Sequence, residues 1–144
     1  FLMRIELGYP DPAAERELFL HGSSSDDVAD LKPCLTPDQL DALTEQVDRV
    51  HASDNLLDYL QRLVAYTRTS AEFGFGLSPR GALSLLHSAK TWAVMAGREH
   101  VLPEDLQAVL SAVAGHRLQP TRDFAGDSAA LVRNLLANVD VIKA

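Results

Sequence analysis

An all-α fold, a bundle of five to six helices, is what this 144-residue sequence predicts, and three features predict it. Apolar residues recur at steps of three and four through most of the chain, as they do along one side of a helix. A capping residue followed by proline marks helix starts at Asp11-Pro12, Thr36-Pro37 and Ser78-Pro79. Short polar, glycine-containing stretches separate the periodic runs, with no sustained heptad and no internal repeat. Helices joined in this way pack on one another around a shared core.

The opening is the exception. Phe1 to Leu7 alternates as a strand, with Ile5 and Leu7 on one face and Arg4 and Glu6 on the other. A lone strand has no ladder partner. It is expected to fray, to pair with Val139–Ile142, or to pair with another chain. Gly8-Tyr9-Pro10 breaks it and reads as a hinge. Asp11 caps a helix from Pro12 to about Leu20, with Ala14, Leu18 and Phe19 on its apolar side and Gly22 as its stop. Residues 22–35 read as loop, with a polar run at Ser23–Asp27 and room for a helical turn near Val28–Leu31.

Thr36 and Gln39 have the spacing of a capping box, and Leu40, Leu43, Val47 and Val50 continue as an amphipathic helix. Ser53 caps the next helix, whose stripe is Leu56, Leu60, Leu63 and Val64 and whose end is near Arg68 or Thr69. The Ser78 helix runs to Gly97. Ala82, Leu85, Leu86, Ala89, Ala93 and Ala96 mark its buried side, and Leu83 and Trp92 broaden it; Trp92 reads as core, with a docking anchor as the alternative. Pro103, Glu104 and Asp105 open a helix with acids in its first turn, favoured by the dipole. Leu102 stands where its Ser or Thr cap is expected, at a cost of up to about 1 kcal/mol. Gly115 ends it, and His116 and Arg117 read as a C-terminal cap, with a second nucleotide or subunit contact as the alternative. Residues 120–126 resemble a linker, and a last helix covers 128–138, with Leu131, Leu135, Leu136 and Val139 on its face.

Composition sets bounds. Thirteen Lys and Arg against twenty Asp and Glu give a net charge of −7, which opposes general nucleic-acid binding. One cysteine, Cys34, permits no internal disulfide and accords with a reducing, cytoplasmic setting. No apolar run approaches the ~18–20 residues of a membrane span. The five histidines lack ligand spacing, so no metal site is expected. A chain that opens at Phe1 inside a strand-like run reads as a piece of a longer protein; a start at Met3 would leave that run without an evident reason.

The chemistry centres on Gly74-Phe75-Gly76-Leu77-Ser78-Pro79-Arg80-Gly81. Two glycines loosen the chain, Ser78 caps, Pro79 takes the first helical position, and Arg80 follows in the first turn. A cation at the positive end of a helix is disfavoured by ~0.3–1 kcal/mol. Arg80 is therefore either an exposed arginine that tolerates this cost or a partner for an arriving anion. Helix starts present free N–H groups to phosphate, and a guanidinium adds a planar fork. Ser78 reads as a cap, since no His–Asp pair can be argued beside it.

Gly76–Ala82, followed by Leu85-Leu86, Ala89 and Gly97–Leu106, resembles the C-terminal lid of an AAA+ ATPase, most closely the MoxR branch. Phe1–Pro10 is similar to the last strand of the large ATPase domain and the hinge into the lid. The resemblance covers Phe1 to about Leu118 and divides the chain into 1–10 (core end and hinge), 11–118 (lid) and 119–144 (linker and last helix). It implies that Arg80 is the sensor-2 arginine, which reaches the γ-phosphate of ATP bound with Mg2+ by the upstream domain in cis. It implies that Leu77, Ser78, Pro79 and Tyr9 lie at the nucleotide, with Leu77, Pro79 and Leu83 as an apolar wall near adenine. It further implies a ring, commonly a hexamer, chaperone-like remodelling, and partners with von Willebrand factor A domains.

No G-x-x-x-x-G-K-[ST] loop and no apolar strand ending in Asp-Glu occurs in the chain, so it should not hydrolyse ATP alone. A stand-alone helical adaptor is the alternative, in which Arg80 is dispensable. A helix-turn-helix DNA binder fits poorly, because no recognition helix is basic.

Overall fold

The caps decide where the helices begin. The computed structural model describes residues 1–22 and 31–142, and six helices and two short strands are present among them. α1 spans Pro12–His21, α2 Pro37–Arg49, α3 Asp54–Thr69, α4 Pro79–Met95, α5 Pro103–Ala114 and α6 Ser128–Asn138. β1 (Phe73–Phe75) pairs antiparallel with β2 (Gln119–Pro120). The fold is all-α, with this two-stranded clip as an addition. The helical turn expected near residues 28–31 falls, except for Leu31, outside the described residues.

Asp11 Oδ1 accepts from the N–H groups of Ala13 and Ala14, both at 2.9 Å. Thr36 and Gln39 close the reciprocal capping box, with Thr36 N–H donating to Gln39 Oε1 at 2.9 Å and Gln39 N–H to Thr36 Oγ1 at 3.3 Å. Ser53 Oγ accepts from Leu56 N–H at 3.3 Å. Helix α5 compensates for its apolar cap residue from the other side. Asp105 Oδ2 accepts Leu102 N–H at 2.7 Å, and the same carboxylate takes both arms of Arg98 at 2.7 and 2.5 Å. Burial pushes the Asp105 carboxyl up; the Arg98 and Leu102 hydrogen bonds and the guanidinium charge outweigh it and hold the group below its ordinary range.

Helices α4 and α5 form the most extensive pair, and the core gathers around them. Leu85, Ala89 and Ala93 of α4 meet Leu106, Val109, Leu110 and Val113 of α5 in one buried cluster, with alanines giving close approach. Helix α3 adds Leu56, Tyr59, Leu60 and Leu63, and α6 adds Leu131, Val132 and Leu135. Residues 119–126 are drawn onto this body: Thr121 N–H donates to Glu72 O at 2.9 Å beside the clip.

Several expectations change. Trp92 is 44% exposed and Leu83 68% exposed, so the buried arc of α4 is narrower than its apolar sequence and Trp92 is not a core residue. Helix α1 buries none of its residues, leaving Leu18 and Phe19 exposed. In α2 only Val47 is buried, because the helix docks by its C-terminal end alone. Residues 1–7 form no strand, and Ile5 and Leu7 are exposed. They pair neither with residues 139–142 nor with a ladder; Arg62 of α3 instead donates to Asp140 O at 3.3 Å and Val141 O at 2.8 Å.

Candidate functional site

The turn from β1 into α4 carries the four neighbouring residues Leu77, Ser78, Pro79 and Arg80. Ser78 Oγ accepts Gly81 N–H at 3.2 Å, the cap bond that starts α4, so the hydroxyl is committed to structure. Pro79 has no N–H to leave unpaired. Arg80 is exposed and makes no hydrogen bond or ion pair among the described residues. The first turn of α4 holds no acid that would offset its charge. A cation and a helix start thus face the same solvent without internal compensation, the electrostatic arrangement that suits an anion.

The turn is held from beneath. Leu77 is buried at 3% exposure, and both of its backbone groups are bound to the end of α3. Its N–H donates to Thr67 Oγ1 at 2.9 Å, and its carbonyl accepts from Arg68 Nε at 3.0 Å. Thr67 is itself buried and donates to Val64 O at 2.7 Å. Gly76 makes the approach possible: a Cβ there would lie 2.5 Å from Thr67 O, closer than any real contact. The glycine therefore serves close packing and a fixed turn, not the looseness expected of it. Gly81 does the same one step into α4, where a Cβ would meet Leu77 Cδ1 at 2.7 Å and Arg117 Cδ at 3.4 Å.

Of the residues expected at a nucleotide, Ser78, Pro79 and Arg80 stand together and exposed. Leu77 points its side chain into the core. Tyr9 is 98% exposed in the segment before α1 and makes no hydrogen bond among the described residues. No local pattern in the sequence marks Thr67 or Arg68 for this turn. A hydroxyl and a guanidinium in the last turn of an otherwise apolar-striped helix are faint signals, and neither says what it will reach. Among the described residues no group of three or more His, Cys, Asp or Glu side chains could hold a metal ion, and no helix is long and apolar enough to cross a membrane.

Comparison with known proteins bears on the family and the fold. Residues 65–135, from within α3 into α6, match the model of the AAA lid domain. The chain is 30% identical over 144 residues to the uncharacterized protein YeaC of Bacillus subtilis (strain 168), covering 98% of this chain and 45% of that protein. It is 33% identical over 136 residues to the chaperone MoxR1 of Mycobacterium tuberculosis, covering 88% of this chain and 36% of that one. Protein MoxR of Paracoccus denitrificans is 37% identical over 81 residues, 47% of this chain and 24% of its own. This chain therefore spans less than half the length of these relatives. A crystal structure of a candidate ATPase from Cytophaga hutchinsonii ATCC 33406 superposes with a TM-score of 0.83 over 99% of this chain and 47% of its own, at 24% identity, which shows a common fold.

Proposed function

This chain carries an AAA lid domain of the MoxR family, and from that premise we propose that it serves as the lid of an ATP-driven remodeller, with Arg80 as its γ-phosphate sensor. The observation that carries the reading is Arg80 itself: exposed, without a partner among the described residues, and mounted on a helix start pinned by Thr67 and Arg68.

The upstream domain would bind ATP with Mg2+, and the bound nucleotide supplies the phosphoryl group and its shifting negative charge. The residues here fit such a polyanion from one side only. Arg80 offers a planar fork to phosphate oxygens, and its own backbone N–H lies in the orphan first turn of α4. Gly81 N–H is taken by Ser78, so it is not part of the offer. Because the turn is pinned, the backbone from which the guanidinium projects is fixed before the charge develops, which lowers the reorganisation when it does. Pro79 and Leu83 can supply apolar surface near adenine, and Tyr9 can do so from the hinge. Leu77 contributes by holding the turn from the core. Loss of the γ-phosphate removes the anion that ties Arg80 to the upstream domain, which frees the lid to rotate and act on a partner protein. A homo-oligomeric ring, commonly a hexamer, a cytoplasmic setting, and partners with von Willebrand factor A domains complete the reading.

ATP turnover by the full-length protein tests it. Arg80→Ala and Arg80→Lys should both lose turnover about 10-fold or more with nucleotide affinity less affected, since an ammonium lacks the fork. Full activity in Arg80→Ala would end the sensor reading and leave the lid assignment standing. Absence of any ATPase activity in the wild type would favour a helical adaptor that binds protein.

A further inference from the structure

Arg117 makes three hydrogen bonds to backbone carbonyls, and the sensor role gives it no task. It leaves the chain just after α5 and spans three carbonyls. Nη2 donates to Phe1 O at 2.7 Å, and Nη1 donates to Leu2 O at 2.9 Å and to Val113 O. The Val113 bond is the C-terminal cap expected of it; the other two reach 115 and 116 residues back along the chain. Two further contacts hold the same segment: Arg4 N–H donates to Ala112 O at 2.8 Å, and Met3 packs against the core. The stem of Arg117 passes beside Gly81, the residue next to Arg80. Two hydrogen bonds from Arg117 and the Arg4–Ala112 bond thus join residues 1–4 to the end of α5, and the Arg117 stem lies against the first turn of α4. Gly8, with φ at +71°, follows directly and is the left-handed position at which the chain swings away toward α1.

We infer that Arg117 is a latch between the end of the upstream domain and the lid, a positioning residue that holds the lid in the orientation in which Arg80 faces the nucleotide. The inference rests on the lid reading above, under which residues 1–7 close the upstream domain and residues 8–10 are the hinge. With the latch made, residues 1–4 and the base of α4 move as one body across the hinge. With it broken, the lid pivots at Gly8 and Arg80 leaves its post. Five N–H donors in a rigid plane allow one side chain to span carbonyls on two segments; a lysine, with one charged centre, cannot replace the fork.

The test uses the full-length protein with Arg117→Met, which keeps the stem and loses the fork, and Arg117→Lys, which keeps stem and charge. Hydrogen exchange at the Arg4 amide should quicken at least 10-fold in both, and the spin-label distance between lid and upstream domain should broaden. Turnover should fall about 5- to 10-fold with Arg80 present. In an Arg80→Ala background the same change should cost less than about 2-fold, because the latch acts through Arg80. If Arg117→Met fails to fold, Arg117→Lys carries the test. Unchanged Arg4 exchange, or losses that multiply in the double variant, would overturn the latch. Exchange and distance do not depend on Arg80, so failure of the sensor reading would show separately, as full turnover in Arg80→Ala alone.

Discussion

Replacing Thr67 with valine tests whether the turn that mounts Arg80 is held from beneath. Threonine and valine have nearly the same shape, so no cavity opens, and what is lost is one hydroxyl. That hydroxyl is 2.7 Å from Val64 O and 2.9 Å from Leu77 N in a residue only 1% exposed. Val64 O lies inside α3, where helix bonding can still satisfy it. Leu77 N–H has no such substitute, and a buried donor left unpaired costs about 1–3 kcal/mol. An unfolding entropy of about 2.1 cal/mol/K per residue gives about 0.3 kcal/mol/K for a domain of this size. The expected fall in Tm is therefore about 3–10 °C. Thr67→Ser keeps the hydroxyl and loses one methyl, so it should cost nearer 1 kcal/mol. Thermal unfolding followed by circular dichroism gives the size, and amide exchange at Leu77 gives the place. A Thr67→Val protein that melts within about 1 °C of wild type, with the Leu77 amide still protected, would refute the argument that this bond holds the turn.

Gly76→Ala should destabilise by about 1–3 kcal/mol, since the added methyl would sit 2.5 Å from Thr67 O and backbone must shift to admit it; urea midpoints measure it, and an unchanged midpoint would mean the turn is soft. Asp105 gives a pH signature. Its carboxyl is held below its unfolded value of about 3.9, so the stabilisation it brings is present above that pH and fades as pH falls through the lower folded value. Arg98 stays protonated throughout. The stability gap between wild type and Asp105→Asn should accordingly be constant from pH 7 to 5 and close below about pH 4, as read from denaturant midpoints at each pH. A gap independent of pH would show that the Arg98 pair contributes no charge-dependent stability.

Much of the fold was legible because local rules decide it. Asp11, Thr36, Ser53 and Ser78 each cap the helix expected of them, and a cap needs only the N–H groups two or three residues ahead. The buried stripe of α4 through Leu85, Ala89 and Ala93 follows from a period of 3.6. The exposed Arg80 at a helix start was also legible, since both its charge and its position are local facts.

What surrounds that arginine was not. Periodicity marks an apolar residue but cannot say whether a neighbour covers it, so Trp92, Leu83 and the face of α1 lie open despite apolar sequence. The alternation of residues 1–7 suggested a strand, and a strand needs a partner; Arg117 and Ala112 supply single bonds instead of a ladder. Gly76 looked like freedom and proved to be clearance for Thr67 O. The sequence alone thus determined the helices, their starts and the cation placed at one of them, because those depend on residues within a turn of each other. The tertiary structure alone decided how Arg80 is mounted, because Thr67 and Arg68 hold Leu77 in its turn through bonds whose partners no local pattern names.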